Sequence, residues 1–414
     1  MTDENTLICT VGTSLFSNLG RLPTPENYEK WWKGQSESDR THLSPEFVEK
    51  LRLAYGKIQE ETKSRAEGDR ACKTLAQLLA ELPDTVRLCG AEINSTSDLI
   101  SREYCTRNDR LYFVHSATEQ GRQIAAILTD YYRAKQHPVA EPQEIAYLQD
   151  KNPKQFKTKG LRNLVKKIGK IYQANKNKPC TINATGGYKA QIAIAVLMGQ
   201  ALGIPVYYKH ERFSEIIAFP PMPISLDFEL WQKNSGILQA LERKKNDLMS
   251  WDEFSQDWGE FITEWDEKME VTIERETIDG QVLVEMSPTG QIFHDTFKNR
   301  FDASKNEVLP PAVPLNQKKY PPLPKHSWKN AKKTIVNFLK KVTDESPYVR
   351  SCETEYWNPD LPSVTLFKMR GEQIEGILSN GTWTVKFCVN TSAKTQGQST
   401  ACMADLNLRL DNWI

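Results

Sequence analysis

Over the first 230 residues, short apolar runs alternate with longer stretches whose apolar positions recur at helical spacing, the alternation of a parallel-sheet protein. Strands are predicted over Thr6 to Val11, Thr85 to Ile93, Arg110 to His115, Cys180 to Ala184 and Pro205 to Lys209. Helices are predicted between them, over Glu46 to Arg65, Asp69 to Ala80, Glu119 to Ala134, Leu161 to Ala174 and Tyr188 to Leu202. The first strand runs straight into Gly12-Thr13-Ser14, and the fourth into Thr185-Gly186-Gly187-Tyr188-Lys189 ahead of a helix. Ligands of open parallel sheets collect at the carboxyl ends of strands, so both loops can face one crevice.

The pattern changes after Pro220-Pro221-Met222-Pro223. Residues 251 to 286 carry twelve acidic and two basic side chains, with Trp251, Trp258 and Trp265 at a seven-residue spacing that lines up one helical stripe. A packing seam on an acidic helix is the expected role, because that charge repels the phosphates a base-stacking platform would meet. Strand-like runs at Glu270 to Arg275 and Gln281 to Met286 flank Asp279-Gly280, and Ser287-Pro288-Thr289-Gly290 opens a helix over Gln291 to Phe301. Six prolines over 308 to 324 mark a linker. A helix over Ser327 to Val342 then sets Trp328, Ile335, Phe338, Leu339 and Val342 on one face and Lys329, Lys332, Lys333 and Lys340 largely on another. Three strands follow, Val364 to Arg370, Glu372 to Leu378 and Trp383 to Asn390, with Asn380-Gly381 as a hairpin turn.

With 414 residues the chain exceeds one typical domain. The pattern divides it into 1–230, a connector over 231–307, the linker 308–324 and a compact α+β module over 325–414. Lys plus Arg number 54 and Asp plus Glu 53, so no global field attracts nucleic acid and any basic surface is local. Residues 318 to 350 supply it, with nine basic and two acidic side chains. No apolar run is long enough for a membrane helix, and the first residues lack the basic and apolar regions of a signal peptide, so a cytoplasmic protein without membrane contact is expected. Eight cysteines form no C-x-x-C pair, and several sit in apolar runs; reduced thiols are expected, with neither a disulfide scaffold nor a metal site.

The paired loops carry the strongest chemical signal. Adjacent glycines let backbone amides approach an anion, the following helix adds its positive end, and Lys189 adds a charge. Thr13, Ser14 and Thr185 hydroxyls and the Asn183 amide offer donors and acceptors to ribose, base or phosphate oxygens. Neither the P-loop spacing nor G-x-G-x-x-G is present, so a nucleotide phosphodiester is expected to bind without those motifs.

Thr10 to Leu15, the segment Tyr112 to Arg122, and Asn183 to Lys189 with its helix together resemble CARF domains, the sensor domains of type III CRISPR ancillary proteins. The resemblance covers about residues 1 to 230. It implies an α/β Rossmann-like homodimer that binds a cyclic oligoadenylate, most often cyclic tetra-adenylate, as an allosteric activator across its two-fold axis. Gly12, Thr13, Ser14, Gly186, Gly187 and Lys189 would then be ligand contacts, with Asn183, Thr185, His115, Ser116 and Thr118 around them. Some CARF domains also cleave the ring without a metal, and Ser14 and Lys189 are the candidates for that ring nuclease step. Arg110 and His115 match the R-x4-H spacing of HEPN ribonucleases, but that motif belongs on a helix and these residues fall in an apolar strand.

The segment 287–301 resembles a winged-helix connector, and about 325–414 resembles RelE-type toxins, which cut messenger RNA on the ribosome without a metal. That likeness makes Lys368, Arg370, Lys386 and Arg409 the candidate catalytic residues. The combined expectation is a cyclic-oligoadenylate-activated endoribonuclease with RNA, and the ribosome, as partners and no cofactor. The alternatives are a ring nuclease with an inert appendage, or a ligand-controlled winged-helix transcription regulator.

Overall fold

A computed structural model describes residues 5–60, 65–210, 215–221, 227–243, 249–252, 254–255, 267–361 and 363–414. The chain divides into two compact units, Met1–Ile224 and Ser225–Ile414. The first is mixed α/β around a six-stranded sheet: β1 (Thr6–Thr10), β2 (Arg110–Ser116), β3 (Gln143–Ile145), β4 (Cys180–Asn183), β5 (Val206–Lys209) and β6 (Ile216–Phe219). Their order is β3-β2-β1-β4-β5-β6, parallel throughout except for the antiparallel β6. All five β1 residues are buried, as expected of a central parallel strand covered on both faces.

Helices α1 (Ser14–Leu19), α2 (Pro45–Gln59), α3 (Arg65–Ala80), α4 (Gly90–Ser101), α5 (Glu119–Ala134), α6 (Leu161–Ala174) and α7 (Lys189–Leu202) belong to this unit. Local chemistry sets several ends. Ser44 accepts from Phe47 N with Pro45 at the first helical position of α2, and Thr118 accepts from Gly121 N to start α5. Gly203, left-handed at φ +69°, stops α7.

Four of the five predicted strands form in this unit, and the run Thr85 to Ile93 does not. Thr85 to Ile93 contains a 3-10 turn at Arg87–Cys89 and then enters α4. Gly90 adopts φ +86°, which ends any extended run, and from there Ile93, Thr96 and Leu99 are buried at helical spacing. The polar Thr96 and Ser95 on that buried face disguise the period. β3 and β6, outside the predicted set, are short strands at the sheet's two edges.

The second unit holds two antiparallel sheets. β7 (Met249–Ser250), β8 (Ile273–Ile278) and β9 (Gln281–Met286) pair in the order β7-β9-β8. β10 (Val349–Asn358), β11 (Leu366–Arg370), β12 (Gln373–Ser379) and β13 (Thr384–Thr391) pair in the order β10-β13-β12-β11. Asp279 and Gly280 both have positive φ, the conformation a tight hairpin requires, so the predicted β8–β9 hairpin forms. Its first strand starts later than expected because Glu267–Glu270 makes a helical turn. Trp251 lies under the Arg275 guanidinium at 4.2 Å, whereas Trp258 and Trp265 fall outside the described residues.

Helices α8 (Phe228–Arg243), α9 (Pro288–Val308), α10 (Lys332–Glu345) and α11 (Gln396–Arg409) pack around these sheets. Trp231, Phe297 and Phe301 share one core with Leu366, Ile377, Ala401 and Ala404, so residues from 231–307 and from 325–414 are buried together. α11 was not legible as a helix because its buried side includes Thr400, Asp405 and Asn407. Asn407 explains itself: its side chain donates to Phe367 O (2.8 Å) and accepts from Phe367 N (2.9 Å), satisfying the backbone of edge strand β11 as another strand would.

The proline-rich stretch is fixed to the second unit. Val313 N donates to Pro347 O and Lys319 N to Arg350 O, each at 2.8 Å. The buried Lys318 ammonium donates to the carbonyls of Thr343, Asp344 and Ser346 at the end of α10, where unpaired carbonyls collect. All eight cysteines are free and buried. Burial raises their thiols, to about 12 for Cys89, Cys105, Cys180, Cys352 and Cys402. Among the described residues no helix is long and apolar enough to cross a membrane.

Candidate functional site

β1 and β4 are neighbours, with Cys9 opposite Asn183. From this boundary the chain builds outward both ways, β1 to β2 to β3 on one side and β4 to β5 on the other. That is the switch point of an open sheet, where neighbouring loops part and leave a crevice beyond the strand ends. The loops leaving β1 and β4 here are those of Gly12 and Gly186.

The two loops are in backbone contact. Thr10 Oγ1 donates to Gly186 O at 2.5 Å. A Cβ on Gly12 would collide with Gly187 N, and one on Gly186 would stand 2.7 Å from both Gly12 N and Thr10 O. Gly187 adopts φ +106°, a conformation reserved for glycine. The glycines are therefore required by the approach of the two loops to each other.

Glu92, from α4, joins them. Its carboxylate accepts from Gly12 N (2.6 Å) and from Ser14 Oγ (3.0 Å), while Ser14 Oγ accepts from Ala91 N (2.8 Å). Glu92 is only 2% exposed, and burial raises its carboxyl above the usual value, an effect the Gly12 and Ser14 hydrogen bonds partly offset. Nothing in the sequence marked Glu92, because the segment containing it read as a strand.

These groups floor a cleft of about 600 Å³. Gly12, Thr13, Ser14, Thr185, Gly186 and Gly187 line it with Glu92, and Arg21, Arg87, Lys209 and His210 stand around it with the rings of Trp31 and Tyr208. Lys209 also donates to Asp98 at 2.9 Å. Burial alone would raise the Asp98 carboxyl, but hydrogen bonds from Lys209 and Arg102 hold it below its usual value. Lys209 and His210 end the β5 segment, so the rule that drew attention to the other two strand ends applies to them as well. Such a site can offer cations and aromatic faces to a ligand, while the Gly12 amide is taken up by Glu92.

The remaining predicted contacts are placed differently. Asn183 is buried, donating to Ser95 Oγ (2.8 Å) and Thr96 Oγ1 (3.2 Å), and Thr185 Oγ1 donates to Asn183 Oδ1 (2.7 Å). His115 is buried at the end of β2, its Nδ1 2.9 Å from Ser116 O, and burial lowers its pKa. Ser116 Oγ meets Thr118 Oγ1 at 2.8 Å. None of His115, Ser116 and Thr118 lines the cleft, and Arg110 and His115 both lie on β2. Lys189 is exposed at the start of α7, also outside the cleft lining.

In the second unit, register and alternation set Lys368, Arg370 and Lys386 on one face of the four-stranded sheet with Glu375. Acidic residues neutralise this face. Lys368 Nζ lies 3.5 Å from Glu375 Oε2, and Arg370 lies 3.3 Å from Glu375 and 3.6 Å from Glu355. Lys386 Nζ stands 5.7 Å from the Tyr356 ring centroid. Arg409 is elsewhere, on α11, donating to Asp405 at 2.6 Å.

Fold and site together define an open parallel-sheet unit with a polar, cation-rimmed cleft at its switch point. A family model described as CRISPR-associated protein (Cas_APE2256) matches residues 87–222, within that unit, and supports a CRISPR association for the chain. A comparison with curated proteins finds no match.

Proposed function

We propose that the first unit binds a cyclic oligoadenylate in the cleft between the Gly12 and Gly186 loops, and that binding controls RNA cutting by the second unit in CRISPR defence. The observation that carries the reading is the meeting of two glycine loops at the switch point under a rim of Arg21, Arg87, Lys209 and His210. The rings of Trp31 and Tyr208 suit adenine, and the overlap with a CRISPR-associated family favours this class of nucleotide. A homodimer would join two such clefts around one two-fold ring.

For the second unit, cutting RNA at its 2′-hydroxyl needs a base for the hydroxyl proton and a cation for the charge that develops on phosphate. The sheet face bearing Lys368, Arg370, Lys386, Glu355 and Glu375 offers both kinds of group. Ring cleavage by the sensor has less support, because Lys189 lies outside the cleft lining and the Ser14 hydroxyl is engaged by Glu92.

The test is to incubate the protein with labelled messenger and translating ribosomes, with and without cyclic tetra-adenylate, following RNA and ligand together. Messenger cutting only when the ring is added is expected. Intact messenger under both conditions overturns the effector reading, and loss of ring with intact messenger assigns the activity to the sensor instead.

A further inference from the structure

Residues 308 to 343 contain eight lysines and no acidic residue. The fold gathers this charge along one edge of the four-stranded sheet. The segment is tied to the start of β10 by Lys319 N to Arg350 O, and it reaches the far end of the same strand where the Trp328 and Trp357 ring centroids are 5.0 Å apart. α10 then returns and is pinned by Lys318 to its starting end. Lys319, Lys325, Lys332, Lys333, Lys340 and Lys341 are all exposed on these two limbs.

The row ends on aromatic rings. His326, Trp328, Trp357 and Trp383 form a chain with successive centroid distances of 5.6, 5.0 and 5.5 Å. Trp328 is buried in the core, its indole donating to Pro324 O, whereas Trp357 and Trp383 are partly exposed. Trp357 and Trp383 pack against the same core as Trp328 with part of each ring, and the exposed remainder of both stands at the end of the lysine row.

We propose that this edge of the sheet is a docking track for single-stranded RNA, with phosphates along the lysines and unpaired bases stacked on Trp357 and Trp383. Charge complementarity selects a polyanion, and rings offered at the end of the row select one with free base faces, which a duplex or an acidic peptide lacks. The choice of RNA rests on the proposed function; the track itself rests on the lysines and rings.

The test measures anisotropy of a labelled oligouridylate with the full chain, without cyclic oligoadenylate and without ribosomes. Saturable binding is expected, weakening with salt by a log–log slope of roughly 0.7 per phosphate contact. Reversing Lys325, Lys332 and Lys333 to Glu, all exposed positions, should flatten that slope. Trp383→Leu should weaken binding about tenfold, with Trp383→Phe restoring most of it. Thermal unfolding of each variant separates lost contacts from lost structure. Absent binding at low salt, equal affinity for duplex RNA or polyglutamate, or unchanged affinity in both folded variants overturns the track. RNA bound but never cut when the ring is present refutes the proposed function and leaves the track standing.

Discussion

Gly186→Ala tests whether the two loops depend on their mutual approach. The added Cβ would stand 2.7 Å from Gly12 N and from Thr10 O, against about 3.5 Å for ordinary contact, a shortfall of roughly 0.8 Å. Those two obstacles are backbone atoms of β1 and its loop, which no rotamer change relieves, and the nearest atom of all is Oε1 of the buried Glu92, itself held by Gly12 N, so the loops must separate. Overpacking of this kind costs about 1–3 kcal/mol. For a unit of this size that lowers the first unit's unfolding midpoint by roughly 2 to 12 °C. Gly56→Ala is the matched control: it lies inside α2 with nothing within 4 Å of the new Cβ, and should gain about 0.5–1 kcal/mol. Differential scanning fluorimetry with and without cyclic tetra-adenylate reads both effects. Gly186→Ala should lower the midpoint and abolish the ligand-induced rise, while Gly56→Ala should raise the midpoint and keep that rise. If the two variants unfold alike and both respond to ligand, the contact between the loops has no role in the cleft.

Three further outcomes follow from buried groups. Because burial raises the Glu92 carboxyl, its contribution to stability is fully present below the usual carboxylate value and is lost as pH climbs through the raised one. Glu92→Gln cannot ionise, so its midpoint should gain on the natural protein as pH rises above about 4.5; a constant difference across that rise would show that Glu92 is not desolvated. Lys368→Met strands Glu375, which is 5% exposed, although Arg370 remains 3.3 Å away; a loss of about 3 kcal/mol in denaturant unfolding is expected, recovered in part by adding Glu375→Leu. Unfolding of Lys368→Met at the natural midpoint would contradict the pairing. Lys318→Met removes the donor from three carbonyls at the end of α10 and should cost about 1–3 kcal/mol by the same assay, and an unchanged midpoint would show that water replaces the ammonium freely.

The parallel core was legible because its apolar runs and helical periods agree with their burial: β1, β2, β4 and β5 and the helices α5, α6 and α7 lie close to where periodicity put them. The Gly12 and Gly186 loops were legible for a related reason, since their glycines follow strands directly. What stayed hidden depends on partners far away in sequence. Glu92 meets Gly12 across eighty positions, and nothing local distinguishes it from a surface acid. Asn407 and Asp405 make α11 look polar until Phe367 and Tyr348 are seen to satisfy them. Lys368 and Arg370 read as free cations because Glu355 and Glu375 join them only through strand register.

Under the proposed function, the cleft at the β1–β4 switch point holds a cyclic oligoadenylate. Calorimetric titration of cyclic tetra-adenylate into the natural protein, beside linear tetra-adenylate and Gly186→Ala, tests it most directly. Saturable heat at one ring per two chains is predicted, lost in the variant and weaker with the linear form. No heat from the ring, or equal heat from the natural protein and Gly186→Ala, would contradict it.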